Sequence, residues 1–315
     1  MKAIITGDWH IGKTSAKVDH EIEFRRAFDW MIKEADRLGV KNIIHTGDLW
    51  DTKRYLSFAM VRLWKYVLET LEEYDLRLYI ANGNHDVPNV KKMNESLFTI
   101  AESSDRVLDF GFTSKWKIDD ETVLFIPYGL VGEVEGSTDG VSLCICHESR
   151  PPVYPGVLTV SGHIHQRSSL DGAVFSGTLY QLEREQVDQS TGFILYDSGS
   201  YEYIDNPHKT FRRVELIEGK IEGLNPVKWV MNNRSALAGA NLEVKVDELT
   251  DKTLYQKLVA ILETVALNDL VLTEAIEFSQ EPLKNSSHDA VSLISSELNR
   301  PGAKLLLEEI AGKLR

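Results

Sequence analysis

The sequence is poor in cysteine and has no long apolar run. Its 315 residues include only Cys144 and Cys146, so neither a disulfide framework nor a four-thiolate zinc site can form. Because these two residues lie two apart in an apolar run, a strand would point both to one face, and we interpret them as core residues. No uninterrupted apolar stretch approaches the roughly 20 residues that span a bilayer, so we expect no membrane partner.

Positive charge is also scarce. The chain has 35 basic and 48 acidic residues, which give a net charge of −13 at pH 7. A protein with this charge has no general attraction to DNA or anionic lipid, and any nucleic-acid function requires a locally positive surface. The residues before Asp8 include too few apolar side chains for a signal peptide, and we expect a cytoplasmic location.

Short apolar runs alternate with helical patterns through the first two-thirds of the chain. Strands are predicted at residues 3–5, 40–44, 76–80, 123–126, 141–146, 157–160, 192–196 and 211–217. Apolar residues that repeat every three and four positions predict one helix that ends at Gly39 and another at 56–71. Stacked β-α units of this kind indicate an α/β fold.

A change in composition divides the chain into parts. The segment between Glu218 and Pro226 contains two glycines and is predicted as a linker. We therefore predict a main domain at 1–218, a small β-α-β domain at 226–282 and two amphipathic helices at 283–315.

Side chains that can bind a metal follow five of the predicted strands, most of them next to a glycine. They are Asp8, His10, Asp48, Asn84, His85, His147, His163 and His165. Residues just past the carboxyl ends of strands in such a sheet converge on one crevice. A single histidine after a strand is usually a satisfied polar residue, but five such cassettes in order make coincidence a poor explanation.

The types of these side chains select the metal and the reaction. Imidazole, carboxylate and amide ligands without thiolate suit Mn, Fe, Zn, Co or Mg. These eight side chains are ligands or catalytic groups, and seven ligands are too many for one ion, whereas two ions that share Asp48 would use all seven. Two ions about 3.5–4 Å apart hold the attacking and leaving oxygens of an in-line displacement, and phosphoester hydrolysis needs this combination most.

The five cassettes resemble the motifs of the calcineurin-like metallophosphoesterases. The motifs are Asp8-Trp9-His10, Gly47-Asp48-Leu49-Trp50-Asp51, Gly83-Asn84-His85-Asp86, the lone His147, and Gly162-His163-Ile164-His165. More closely, the chain resembles the DNA double-strand-break nucleases called SbcD in bacteria and Mre-eleven in eukaryotes, including phage-encoded relatives. Asp86 and the segment Ser176-Gly177-Thr178-Leu179-Tyr180-Gln181 favour that branch. If the chain is phage-encoded, its location is the cytoplasm of the host.

The resemblance implies a fold and a ligand set. The fold is a β-sandwich flanked by helices, followed by a small α+β capping domain that contacts DNA. Two Mn²⁺ ions per chain are implied, with Mg²⁺ or another divalent ion as alternatives. The implied ligands of one ion are Asp8, His10, Asp48 and His165, and those of the other are Asp48, Asn84, His147 and His163.

Two further residues receive catalytic roles. The resemblance implies that His85 is no ligand and faces the phosphate, where it would stabilise charge or protonate the departing 3′ oxygen. Our hypothesis for Asp51 is that its side chain holds the His85 ring by a hydrogen bond. The alternative, in which Asp51 is the N-cap of the helix at 56–71, stays open.

Basic residues concentrate after the motifs in spite of the acidic composition. Five windows of seven residues after the motifs hold eight basic residues against four acidic ones. The predicted DNA contacts among the basic residues are Lys13, Lys53, Arg54, Lys91, Lys92 and Arg167. Solvated loop side chains are the alternative.

The predicted function is a Mn-dependent DNA nuclease for recombination and break processing. The resemblance implies exonuclease action on duplex ends, endonuclease action on single strands, a homodimer and an SbcC-type ATPase partner of the chromosome-maintenance kind. Helices at 283–315 would dock that ATPase or complete the small domain. The alternatives are a phosphodiesterase or phosphatase for small phosphoesters, and a metal-free scaffold, although none of the seven ligand positions is damaged.

Overall fold

The structure is a computed structural model, which describes residues 1–15, 18–87, 104–133, 138–247, 250, 252–265, 267 and 269–274. It divides into two compact units between Thr210 and Phe211. Among the described residues, no helix combines the length and the apolar composition that crossing a membrane requires.

Two sheets and two helices form the described part of the first unit. The elements in chain order are β1 Lys2–Thr6, α1 His20–Leu38, β2 Asn42–His45, α2 Phe58–Glu73, β3 Arg77–Ala81, β4 Val107–Phe110, β5 Ser114–Ile118, β6 Glu121–Ile126, β7 Val141–Cys146, β8 Leu158–Ser161, β9 Ser168–Leu170, β10 Ala173–Phe175, β11 Gly192–Asp197 and β12 Ser200–Asp205. The strand orders are β12-β11-β1-β2-β3-β4 and β5-β6-β7-β8-β10-β9. Strands β1 to β4 are parallel to one another, and β7 is parallel to β8.

Two adjacent residues of β1 show how the layers pack. Ile4 belongs to a buried cluster with Phe28 of α1 and Leu63 of α2, whereas Ile5 belongs to a cluster with Phe125 of the second sheet. Successive strand side chains point to opposite faces. The first sheet is therefore covered by helices on one face and by the second sheet on the other, which confirms the predicted sandwich with flanking helices.

Both predicted helices are present, but the start of α2 excludes one of the two roles considered for Asp51. Helix α1 ends at Gly39, which has a left-handed φ of 67°. Helix α2 begins after Ser57, whose hydroxyl accepts a hydrogen bond of 3.2 Å from the Met60 amide. Because Ser57 is the N-cap, the alternative role of Asp51 as the cap is wrong.

The second unit is a separate sheet with two helices in its described part. Its elements are β13 Phe211–Ile217, β14 Lys220–Ile221, α3 Pro226–Leu237, β15 Asn241–Val246, α4 Lys252–Leu262 and β16 Asp269–Glu274. The strand order is β14-β13-β15-β16, in which β13, β15 and β16 are parallel. Leu216, Val244 and Leu258 lie in its core.

The division between the units lies earlier in the chain than the sequence predicts. We placed 211–217 in the first domain, but this strand pairs with β15 and so belongs to the second unit. The predicted linker contains β14 and leads directly into α3, a helix that the sequence analysis missed. Asn225 caps α3 through a 2.9 Å hydrogen bond from the Val227 amide. The predicted helices at 283–315 lie outside the described residues.

Candidate metal centre

Five loops meet at one edge of the first unit. They follow β1, β2, β3, β7 and β8, and they carry Asp8, His10, Asp48, Asn84, His85, His147, His163 and His165. Because β1, β2 and β3 are parallel, their loops leave the first sheet at the same edge, and those of parallel β7 and β8 leave the second sheet together. Each of the eight residues lies close to at least one of the others.

One group of side chains surrounds His10. Its Nε2 lies 3.2 Å from His165 Nε2 and 3.8 Å from Asp48 Oδ2. His165 Nε2 lies 3.6 Å from Asp8 Oδ1. Ligand atoms of Asp8, His10 and His165 all fall within 4.8 Å of one another, close enough to hold one ion. This group contains the four residues that the family resemblance implies as ligands of one metal.

A second group surrounds Asn84 and shares Asp48 with the first. Asn84 Oδ1 lies 3.1 Å from His147 Nε2 and 2.9 Å from His163 Nδ1. His147 Nε2 is also 3.2 Å from Asp48 Oδ2. Ligand atoms of Asp8, Asp48 and His147 fall within 4.8 Å of one another, so Asp8 belongs to both groups. The family resemblance implies Asp8 as a ligand of only one ion.

A hydrogen-bonded ladder aligns the loops after β1 and β2. The Asp8 amide donates to Gly47 O at 2.9 Å, and the His10 amide donates to Asp48 O at 3.1 Å. Along this ladder Asp8, His10 and Asp48 have left-handed φ values of 51°, 46° and 57°. Such backbone conformations cost about 1–3 kcal/mol each in a residue with a side chain and are typical of functional sites.

Glycines allow the loops to approach one another. A Cβ atom on Gly83 would lie 2.2 Å from Asp48 Oδ1 and 2.3 Å from the Asp48 amide nitrogen. A Cβ atom on Gly47 would lie 2.5 Å from His147 Nδ1, and Gly47 also has a φ of 113°. Gly47 and Gly83 are therefore needed for the close contact between backbone and ligand residues, as expected from the sequence.

Asp86 holds two of the loops together, a role that the sequence analysis missed. Its buried carboxylate accepts hydrogen bonds from the amides of Asp48 at 2.8 Å, Trp50 at 3.1 Å and Gly83 at 2.7 Å. Burial and the nearby Asp48 raise the pKa of Asp86 to about 6. The sequence signal for this role was the acidic residue directly after His85, which we interpreted only as a mark of the nuclease branch of the family.

The contacts of Asp51 differ from our hypothesis. The His85 ring donates through Nδ1 to the main-chain oxygen of Asp51 at 2.7 Å, not to its side chain. The Asp51 carboxylate instead lies 3.3 Å from His10 Nδ1. His85 is also tied to Asp48, because its amide donates to Asp48 Oδ1 at 2.8 Å.

Charge and burial show that the donor set fits a cation. Asp8 is fully buried, its Oδ2 atom has no hydrogen-bond partner among the described residues, and burial raises its pKa to about 8. Burial opposes the charge on His147, but Asp48 and Asp8 raise its pKa to about 9. Burial and the neighbouring His10 lower the pKa of His165 to about 4, which favours the neutral imidazole that binds metals. A divalent ion would supply the missing partner of Asp8 Oδ2.

The predicted DNA contacts fall into three sets. Lys53 and Arg54 are exposed in the loop after Asp48. Lys13 forms an ion pair with Glu183, with Nζ to Oε1 at 2.5 Å. The Arg167 side chain is 8% exposed and is bound by Asp205, so it is not a free surface cation as we expected. Lys91 and Lys92 lie outside the described residues.

Comparison with known families identifies the class. The model of the calcineurin-like phosphoesterase family matches residues 1–184. The chain therefore belongs to this family and is a metal-dependent phosphoesterase, a class of hydrolase that uses divalent metal ions.

The relatives are nuclease subunits by name. The chain is 26% identical to "Exonuclease subunit 1" of Enterobacteria phage T4 over 253 residues, which cover 70% of this chain and 73% of that protein. It is 32% identical to the SbcD component of the nuclease SbcCD of Escherichia coli K12 over 96 residues, which cover 30% and 23%. The SbcD protein of Staphylococcus epidermidis is 22% identical, with 92% and 91% covered. The family match and these relatives confirm the resemblance to calcineurin-like phosphoesterases and to SbcD nucleases.

The close approach of Gly83 to Asp48 gives a direct test of the site. In Gly83→Ala, the added methyl group must displace Asp48, so we expect Mn²⁺ affinity to fall by about 10- to 100-fold, as measured by isothermal titration calorimetry. Gly132→Ala is the matched control, because a Cβ at that position meets nothing within 4 Å. Equal affinities in the two variants would contradict the tight packing described for this loop.

Proposed function

We propose that the protein is a Mn²⁺-dependent DNA nuclease that cuts duplex ends as an exonuclease and single strands as an endonuclease. The observation that supports this proposal best is the meeting of two ligand groups at the shared Asp48, whose Oδ2 atom lies 3.2 Å from His147 Nε2 and 3.8 Å from His10 Nε2. The nuclease names of the relatives support the choice of DNA. Recombination and double-strand-break processing are the proposed setting.

Both metal positions are assigned to residues of this chain. Asp8, His10, Asp48 and His165 would hold one Mn²⁺, and Asp48, Asn84, His147 and His163 would hold the other. The hydrogen bonds of His147 support this role. Its Nδ1 donates to Thr46 O at 2.9 Å, so Nε2, which faces Asp48 and Asn84, is the ring nitrogen that would exchange its proton for a metal ion.

His85 is the proposed acid of the reaction. A metal pair, when bound, lowers the pKa of a water molecule and neutralises charge on the phosphate. Hydrolysis forms one bond from a water oxygen to phosphorus and breaks the bond from phosphorus to the 3′ oxygen. Because Nδ1 of His85 donates to Asp51 O, Nε2 is the ring atom that can face the phosphate and pass a proton to the departing oxygen.

Lys53 and Arg54 form the proposed contact with the DNA backbone. Both are exposed, and they follow the bridging Asp48 by a few residues in the same loop. A local pair of cations would offset the repulsion between an acidic protein and a polyanion. Lys13 and Arg167 contribute less to this proposal, since both already pair with acidic groups.

The names of the relatives describe subunits, and an SbcC-type ATPase is the proposed partner.

A second copy of the chain is proposed to bind an apolar patch at the starts of α1 and α2. Phe58 is 95% exposed, Tyr55 62%, Ile22 53% and Val61 49%. The Arg62–Glu21 ion pair of 2.8 Å brings these two helix starts together. An exposed cluster of this kind is typical of an interface.

The activity and the role of His85 can be tested together. We expect the wild-type chain to cut end-labelled duplex DNA with Mn²⁺ and to lose this activity with a chelator. His85→Ser should keep both metals in calorimetry and lose about 10²- to 10⁴-fold in turnover, since it removes only the proton donor. His208→Ser, at an exposed histidine away from the site, is the control. Hydrolysis of a chromogenic phosphodiester without cleavage of DNA would instead support the alternative of a small substrate, and loss of metal in His85→Ser would make His85 a ligand.

The basic pair predicts a change in the salt dependence of DNA binding. Lys53→Glu with Arg54→Glu should weaken the binding of duplex DNA and flatten the decline of log affinity with log salt, because fewer counterions are released. Lys41→Glu with Arg77→Glu is the matched control, because these exposed residues lie where β2 and β3 begin, at the opposite edge of the sheet. Fluorescence anisotropy in a salt series measures both. An unchanged slope in the Lys53/Arg54 variant would rule out this contact.

The apolar patch predicts a dimer that a single charge disrupts. Phe58→Glu should convert a dimer to a monomer in sedimentation velocity, because a buried, unpaired carboxylate is costly at an interface. Phe112→Glu is the control, since Phe112 is 61% exposed and lies in the loop between β4 and β5. A dimer that persists in Phe58→Glu would exclude this surface.

A further inference from the structure

The backbone of Asp51 is fixed by the same ladder that aligns the metal-binding loops. The Ile11 amide donates to Leu49 O at 2.8 Å, and the Asp51 amide donates to Ile11 O at 3.0 Å. Asp51 therefore ends the paired segment that begins with β1 and β2. Its side chain starts from a fixed position beside His10, and α2 does not depend on it because Ser57 caps that helix.

The Asp51 carboxylate faces the side of His10 that points away from the metal groups. Its Oδ1 atom lies 3.3 Å from His10 Nδ1, whereas His10 Nε2 faces His165 Nε2 at 3.2 Å. His10 Nδ1 is buried and makes no hydrogen bond to any described residue. Leaving a buried N–H without a partner is costly, and a rotation of this adjacent carboxylate would supply the acceptor.

The main-chain oxygen of Asp51 binds the neighbouring His85 ring. It accepts the 2.7 Å hydrogen bond from His85 Nδ1, and the centroids of the His10 and His85 rings are 4.9 Å apart. One residue thus contacts Nδ1 of two histidines through chemically different atoms. A substitution of the side chain removes only the contact with His10.

We propose that Asp51 is a positioning residue for His10: its carboxylate holds the proton on Nδ1, so that Nε2 presents its lone pair to the metal, while its main-chain oxygen orients His85 independently of the side chain. This inference rests on the proposed metal binding and deepens it. Carboxylates that accept from the rear nitrogen of a histidine ligand fix its ring orientation and tautomer, and their loss lowers metal affinity by about 10- to 100-fold.

Calorimetric titration with Mn²⁺ separates this role from a role in the chemical step. In Asp51→Ala, one of two binding events should weaken by about 10- to 100-fold, and the rate of DNA cleavage should return to near the wild-type rate at saturating Mn²⁺. Asp51→Glu, which keeps a carboxylate, should recover part of the affinity. Asp105→Ala is the control, at an exposed acid where β4 begins.

Nitrogen NMR of labelled histidine gives a second readout that does not depend on activity. We expect wild-type His10 to carry its proton on Nδ1, and Asp51→Ala to show a mixture of tautomers. Unchanged Mn²⁺ affinity with a lower rate at saturating Mn²⁺ would overturn the proposal and assign the side chain to the chemical step. Unchanged affinity and rate would also overturn it.

Failure of the proposed function has a different signature. A wild-type chain that binds Mn²⁺ but does not cut DNA would contradict the nuclease, while the effect of Asp51→Ala on affinity would still decide the role of Asp51. A wild-type chain that binds no Mn²⁺ would overturn both.

Discussion

The site depends on the burial of Asp48 among imidazoles. Its carboxylate is reached by His10 from one loop and His147 from another, and its amide is held by Asp86. Burial opposes the charge on this carboxylate, but His147 and His10 lower its pKa. A carboxylate that is ionised and almost fully enclosed attracts cations strongly, and ligand residues from separate loops lie close to it.

The rest of the first unit serves to place this group. Parallel strands from two sheets deliver loops to one edge, and the ladder after β1 and β2 continues the pairing beyond the strands themselves. Three ligand residues on that ladder have left-handed backbone conformations, and neighbouring glycines leave no room for a methyl group. These features carry an energetic cost that the packed core on both faces of the first sheet offsets.

The sequence predicted the strand ends well and the hydrogen bonds poorly. Hydrophobic runs followed by glycine and a polar residue mark where a strand ends, and this local signal locates the motifs of all the proposed ligands except His147, which follows its strand directly. The contacts of Asp51 and Asp86 depend on how two distant loops lie against each other, and nothing near those residues encodes it. The same holds for Arg167, whose partner Asp205 lies 38 residues later at the end of β12. The division near Thr210 was missed because β13 has an ordinary strand pattern, and only its pairing with β15 assigns it to the second unit.

The most direct test of the account is the anomalous diffraction of manganese in crystals of the full chain soaked in Mn²⁺. The account predicts two peaks about 3.5–4 Å apart, with a carboxylate oxygen of Asp48 bound to both and the imidazoles of His10 and His147 on opposite sides. A single peak, or two peaks that do not share Asp48, would contradict it.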